Sequence, residues 1–121
     1  MHELAITEDI LRVAVEHAQR AGAQRITVIN LVIGDLSSIV DDSVQFYFDF
    51  LSPGTLAEGA QLHFDRVAAR FRCRECGQEF TPQDRDWRCP RCQVVGGEVI
   101  AGKEFYVDSI CLLYTSPSPR D

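Results

Sequence analysis

Two CxxC pairs, Cys73-Arg74-Glu75-Cys76 and Cys89-Pro90-Arg91-Cys92, stand twelve residues apart in a chain of 121. Each CxxC turn can aim two thiolates at one point, and zinc(II) takes four thiolates in a tetrahedron. Twelve residues are enough for a hairpin that closes both pairs on a single ion. Gly77 after the first pair and Pro90 inside the second suit the tight turns this needs. Four ligands leave no open position, so the spacing predicts a structural ion, not a catalytic one. A redox enzyme would need only one CxxC, usually beside a βαβ unit. Disulfides fit poorly with the start Met1-His2-Glu3-Leu4, which lacks the basic flank and apolar run of an export signal. The expectation is a cytoplasmic chain carrying a zinc-ribbon-like module, with the fifth cysteine, Cys111, outside it.

Charge follows the same partition. Residues 70–92 hold six of the twelve Lys and Arg residues and only four acids, a formal +2 against −8 for the rest of the chain. One zinc and four thiolates contribute −2, so the loaded module is about neutral, which argues against a nucleic-acid ribbon. The acidic remainder disfavours nonspecific binding to nucleic acid or to an acidic membrane. No stretch approaches the ~20 apolar residues of a membrane helix. A zinc-ribbon adaptor for protein or nucleic acid stands as the alternative reading of the module.

The rest of the chain reads as α+β, two helices on a small three-stranded sheet with the zinc-ribbon-like module inserted. Apolar residues from Leu4 to Ala21 recur at helical spacing, with Leu4, Leu11, Ala14, Val15 and Ala18 near one face, and Gly22 stands at the stop. Residues 26–33 form a β-branched run closed by Gly34-Asp35. Asp41 or Asp42 is placed to cap a second helix, with Val44, Phe48 and Leu51 stacked, Tyr47 and Phe50 broadening the apolar side, and Pro53-Gly54 ending it. Residues 60–67 alternate as a half-buried strand. Residues 103–110 do the same, with Phe105, Val107 and Ser109 opposing Tyr106, Asp108 and Ile110. The expected division is 1–69 plus 103–110 as one α+β domain and 70–102 as the zinc-binding domain. Residues 111–121 have two prolines and no periodicity, so they are expected to be a disordered tail, although Cys111-Leu112-Leu113 could extend the last strand.

A second metal signal lies at the start of the chain. A histidine at position 2 can chelate through the Met1 amine, its own amide nitrogen and its imidazole. The resulting rings favour square-planar Ni(II) or Cu(II). The Glu3 amide, the Glu3 carboxylate or a water could fill the fourth position. Both the amine and the imidazole titrate near neutrality, so such a site weakens on mild acidification. His17 and His63 are expected on solvated faces.

Several features together resemble the HypA/HybF family of nickel metallochaperones for [NiFe]-hydrogenase maturation. They are Met1-His2-Glu3-Leu4, the following helix, Gly34-Asp35-Leu36, Thr55 with Glu58-Gly59-Ala60-Gln61-Leu62, and the paired CxxC motifs. The resemblance covers about residues 1–110. It implies a nickel-binding domain built on the N-terminus, with His2 as nickel ligand helped by Met1 and Glu3. It also implies Cys73, Cys76, Cys89 and Cys92 as ligands of a structural zinc. The nickel would be transient cargo and the chain no enzyme. The implied partners are a HypB-type GTPase and the hydrogenase large-subunit precursor, with urease served by some members. The family usually ends in a short acidic strand, so residues 111–121 are read as an ending foreign to it.

Overall fold

The computed structural model describes residues 3–82 and 86–114. In chain order the elements are α1 (Glu3–Arg20), β1 (Arg25–Gly34), α2 (Asp41–Leu51), β2 (Gln61–Val67), β3 (Arg70–Arg72), β4 (Glu79–Phe80), β5 (Glu98–Ala101) and β6 (Phe105–Leu113). They form two three-stranded sheets, ordered β2-β1-β6 and β4-β3-β5. The chain divides into two compact units. The first comprises Met1–Leu31, Ile39–Asp65 and Tyr106–Asp121, the second Val32–Ser38 and Arg66–Phe105.

In the first unit α1 packs against α2. Its buried seam is Thr7, Ile10, Ala14 and Ala18, while Leu4 lies 43% exposed. The sequence periodicity put Leu4, Leu11 and Val15 beside Ala14 and Ala18 on that seam; the true face keeps the two alanines and is rotated by about 50°, toward Thr7 and Ile10. Thr7 can occupy it because its hydroxyl donates to the Glu3 carbonyl at 2.6 Å, so no polar group is stranded. Gly22 closes the helix in a Schellman arrangement, with Ala23 N–H on the Ala18 carbonyl at 3.0 Å and Gly22 N–H on Gln19 at 3.1 Å.

Helix α2 opens on Val40 with no side-chain cap, and the acids expected to cap it lie inside its first turn, where the helix dipole favours them. The Glu3 carboxylate accepts the Val40 N–H at 3.4 Å instead. Val44 and Phe48 are fully buried, contributing about 1.5–3 kcal/mol each. Phe50, assigned by periodicity to the apolar side, is 76% exposed.

The last strand runs past residue 110, because β6 continues through Cys111-Leu112-Leu113, the extension that this apolar run allowed. Its burial also changes phase: Val107, Ile110 and Leu112 are half-buried, while Asp108 and Ser109 both face out. Residues 115–121, most of the expected tail, lie outside the described residues.

In the second unit the segment after β1 is locked by backbone. Gly34 N–H donates to the Glu104 carbonyl at 2.6 Å, Asp35 N–H to Val67 at 2.9 Å and Leu36 N–H to Gly102 at 2.7 Å. A Cβ on residue 34 would sit 2.0 Å from the Gly102 carbonyl oxygen, so only glycine fits this approach. Leu36 is thereby delivered to the core around Phe71, Cys73, Phe80 and Cys89. Hence this unit includes seven residues from before α2, beyond the 70–102 span read from the cysteines.

Candidate metal centre

Two local turns, built alike, bring the cysteines together. In the first, Cys73 N–H donates to the Gln78 carbonyl and Gly77 N–H to the Cys73 carbonyl, both at 2.9 Å. In the second, Cys89 N–H donates to Val94 and Gln93 N–H to Cys89, again both at 2.9 Å. The fourth residue after the leading cysteine is left-handed in each: Gly77 at φ 74° and Gln93 at φ 68°. Arg91 N–H points at Cys89 Sγ from 3.4 Å, the N–H···S contact that steadies a thiolate.

The cysteines pair across the turns. Cys73 Sγ lies 3.2 Å from Cys92 Sγ, and Cys76 Sγ lies 3.6 Å from Cys89 Sγ. All four sulfurs fall within 4.8 Å of one another. A tetrahedron with zinc–sulfur bonds of ~2.3 Å has edges of ~3.8 Å, so these separations enclose such an ion. They exceed the ~2.05 Å of a disulfide bond, and all five cysteines are free. Cys73 and Cys89 are buried and their partners half-buried, giving a closed all-sulfur set that suits structural zinc.

Protonation follows from this crowding. The Cys76 backbone N–H, helped by the Cys92 thiol, holds Cys73 down at about 6. Cys89 is lowered as well: burial works against its thiolate, but the N–H groups of Cys92 and Arg91 outweigh it. The Val94 N–H favours a Cys92 thiolate, yet sharing a site with the other sulfurs pushes Cys92 up to about 12. Four sulfurs at this range therefore share protons, and a dication would replace those protons.

Strand pairing and aromatic packing also hold the surrounding hairpin. Strand β3 pairs antiparallel with both β4 and β5. Phe71 is 1% exposed and meets Phe80 and Trp87 edge-on at 5.7 and 4.9 Å. The second cysteine turn is closed by an Arg88–Val95 bridge and a 2.7 Å bond from Gly96 N–H to the Trp87 carbonyl.

Much of the arginine cluster is consumed within this unit. Arg70 pairs with Glu79, Arg72 with Glu79 at 3.3 Å and Glu98 at 3.5 Å, and Arg88 with Asp86 at 3.0 Å. These pairs weaken the nucleic-acid alternative.

The other sequence-derived ligands fall differently. Met1 and His2 lie outside the described residues. Glu3 begins α1, and its carboxyl is held below the ordinary range, first by its own backbone N–H and then by that of Val40. His17 and His63 are exposed, as expected. Two supporting positions escaped sequence reasoning. Leu36 is remote in sequence from the cysteines, and Gln93 hides a left-handed position that Gly77 advertises. The shared offset from the leading cysteine is the signal that could have exposed Gln93.

A small α+β protein with a closed four-sulfur centre in its second unit belongs to the class of proteins that carry a structural zinc module. Residues 1–112 match the family described as "Hydrogenase/urease nickel incorporation, metallochaperone, hypA". The chain is 50% identical over 110 residues to the hydrogenase maturation factor HypA of Dehalococcoides mccartyi (strain ATCC BAA-2266 / KCTC 15142 / 195), covering 91% of this chain and 92% of that one. It is 41% identical to that of Caldanaerobacter subterraneus subsp. tengcongensis, covering 91% and 97%. The fold matches the solution structure of the nickel metallochaperone HypA from Helicobacter pylori with a TM-score of 0.64 at 23% identity, over 95% of this chain and 100% of that one. A second HypA solution structure gives 0.71 at 22% identity, covering 95% and 98%. This chain belongs to the HypA family.

Proposed function

We propose that this protein is a nickel metallochaperone that binds Ni(II) at its N-terminus and delivers it during [NiFe]-hydrogenase maturation. The observation that carries the reading is the family match from residue 1 to residue 112, which spans both the N-terminal chelate and the four-cysteine centre. His2 supplies an imidazole and an amide nitrogen, and Met1 supplies its amine. Glu3 stands at the first turn of α1, where backbone N–H groups have no carbonyl one turn back. A metal that displaces the Glu3 amide proton therefore breaks no helical hydrogen bond. Its carboxylate, another candidate for the fourth position beside the amide and a water, is held below the ordinary carboxylate range by its own backbone N–H.

Cys73, Cys76, Cys89 and Cys92 hold zinc, which supplies cross-linking of the two turns and no chemistry. The protein acts by binding and release, not as an enzyme, in the cytoplasm. Among the described residues no helix is long and apolar enough to cross a membrane. A HypB-type GTPase and the hydrogenase large-subunit precursor are its proposed partners, with urease maturation a second destination.

The test is metal titration of purified protein with a free amine at Met1. Wild type binds one zinc and one nickel per chain, and His2→Ala keeps the zinc and loses the nickel. Equal nickel binding by the two proteins would overturn the assignment. An adaptor would bind zinc alone.

A further inference from the structure

The outer face of α2 carries two phenylalanines that the fold does not use. Phe46 is 67% exposed and Phe50 76%, although phenylalanine is usually buried. At i and i+4 they share one stripe, nearly opposite the buried Val44 and Phe48. The stripe is prearranged: Phe46 meets Tyr47 edge-on at 5.4 Å. Beside it on the helix surface lie Asp42 and Asp49, and Gln45 Nε2 holds the Asp49 carboxylate at 2.8 Å. Residues 39–65 contain five acids and no Lys or Arg.

That charge selects the occupant. A second copy would bring acid against acid, and nucleic acid or an anionic bilayer would be repelled in the same way. An apolar surface flanked by Lys and Arg gains on both counts, burying the rings and pairing with the rim. We propose that the Phe46–Phe50 stripe is a docking surface for a protein partner that presents an amphipathic helix with basic flanks. The proposal is independent of the nickel site, since no ligand of either metal belongs to the stripe.

The test uses two synthetic helical peptides with one shared leucine face, one flanked by lysines and the other by glutamates. Binding to the zinc-loaded chain is followed by NMR. The lysine peptide is expected to bind, with shift changes centred on residues 42–50, and raised salt should weaken it. Phe46→Ala/Phe50→Ala should raise its Kd at least tenfold, and Asp42→Asn/Asp49→Asn severalfold, with zinc content and helical circular dichroism unchanged. No binding at millimolar lysine peptide, equal binding of both peptides, or indifference to the Phe pair would overturn the proposal. So would a dimer of the free chain that disappears in the double Phe variant, which would assign the stripe to self-association.

Discussion

Gln93 and Gly77 hold the same left-handed place in two like turns, so exchanging their types should move zinc affinity in opposite directions. A non-glycine residue in this region costs about 1–2 kcal/mol. Glycine at position 93 removes that strain but gives back about 0.5–1 kcal/mol through the greater freedom of the unfolded chain. The Gln93 side chain contributes little to offset this: among the described residues its bond is to the Pro90 carbonyl, exposed and 3.5 Å long. Gln93→Gly should therefore favour the closed turn by about 0.5–1 kcal/mol, a two- to fivefold lower zinc Kd. At Gly77 a Cβ would meet nothing within 4 Å, so Gly77→Ala carries the backbone cost alone. Its zinc Kd should rise by about the same two- to fivefold factor. Competition against a chromogenic zinc chelator at fixed pH reads both variants. If both shift the same way, or if Gln93→Gly releases zinc more readily, the reasoning from paired turns is wrong.

Other outcomes follow from particular contacts. Gly34→Ala forces a Cβ onto the Gly102 carbonyl and breaks the backbone lock, so at saturating zinc its Tm should fall by about 10 °C or more; an unchanged melting curve would contradict the close approach. Cys76→Ser should reduce zinc to well below one per chain, whereas Cys111→Ser, exposed on β6, should leave zinc content intact when both are assayed by metal analysis. The Arg88 guanidinium beside Asp86 holds that carboxyl below its ordinary range. Its contribution to stability is therefore full above the unfolded value of about 3.9 and is lost as pH falls through the lower folded value. Carbon-detected NMR should show the Asp86 midpoint rising part of the way toward its ordinary value in Arg88→Gln, because the backbone N–H of residue 88 still donates to the carboxylate at 3.2 Å; an unshifted midpoint would mean the side-chain pair does not persist in solution.

Much of the chain was legible because its signals are local. Helix spacing located α1 and α2 to within a residue or so, and β-branched runs and alternation located β1 and β2. The cysteine spacing singled out the four sulfurs that converge. The errors are equally instructive. Leu4 and Phe50 satisfy helical periodicity yet stay exposed, because periodicity gives the angle between residues and not which face meets a neighbour. Thr7 looks polar but is buried, because its hydroxyl is satisfied inside its own helix.

The sequence by itself determined the metal chemistry, since ligand type and CxxC spacing are properties of short segments that fold on themselves. Only the tertiary structure decided that Val32–Ser38 belongs with the four-sulfur unit, that burial along β6 breaks its alternation at Asp108-Ser109, and that Phe46 and Phe50 face outward. Those outcomes depend on backbone approach and on neighbours distant in the chain, where local propensity carries no information.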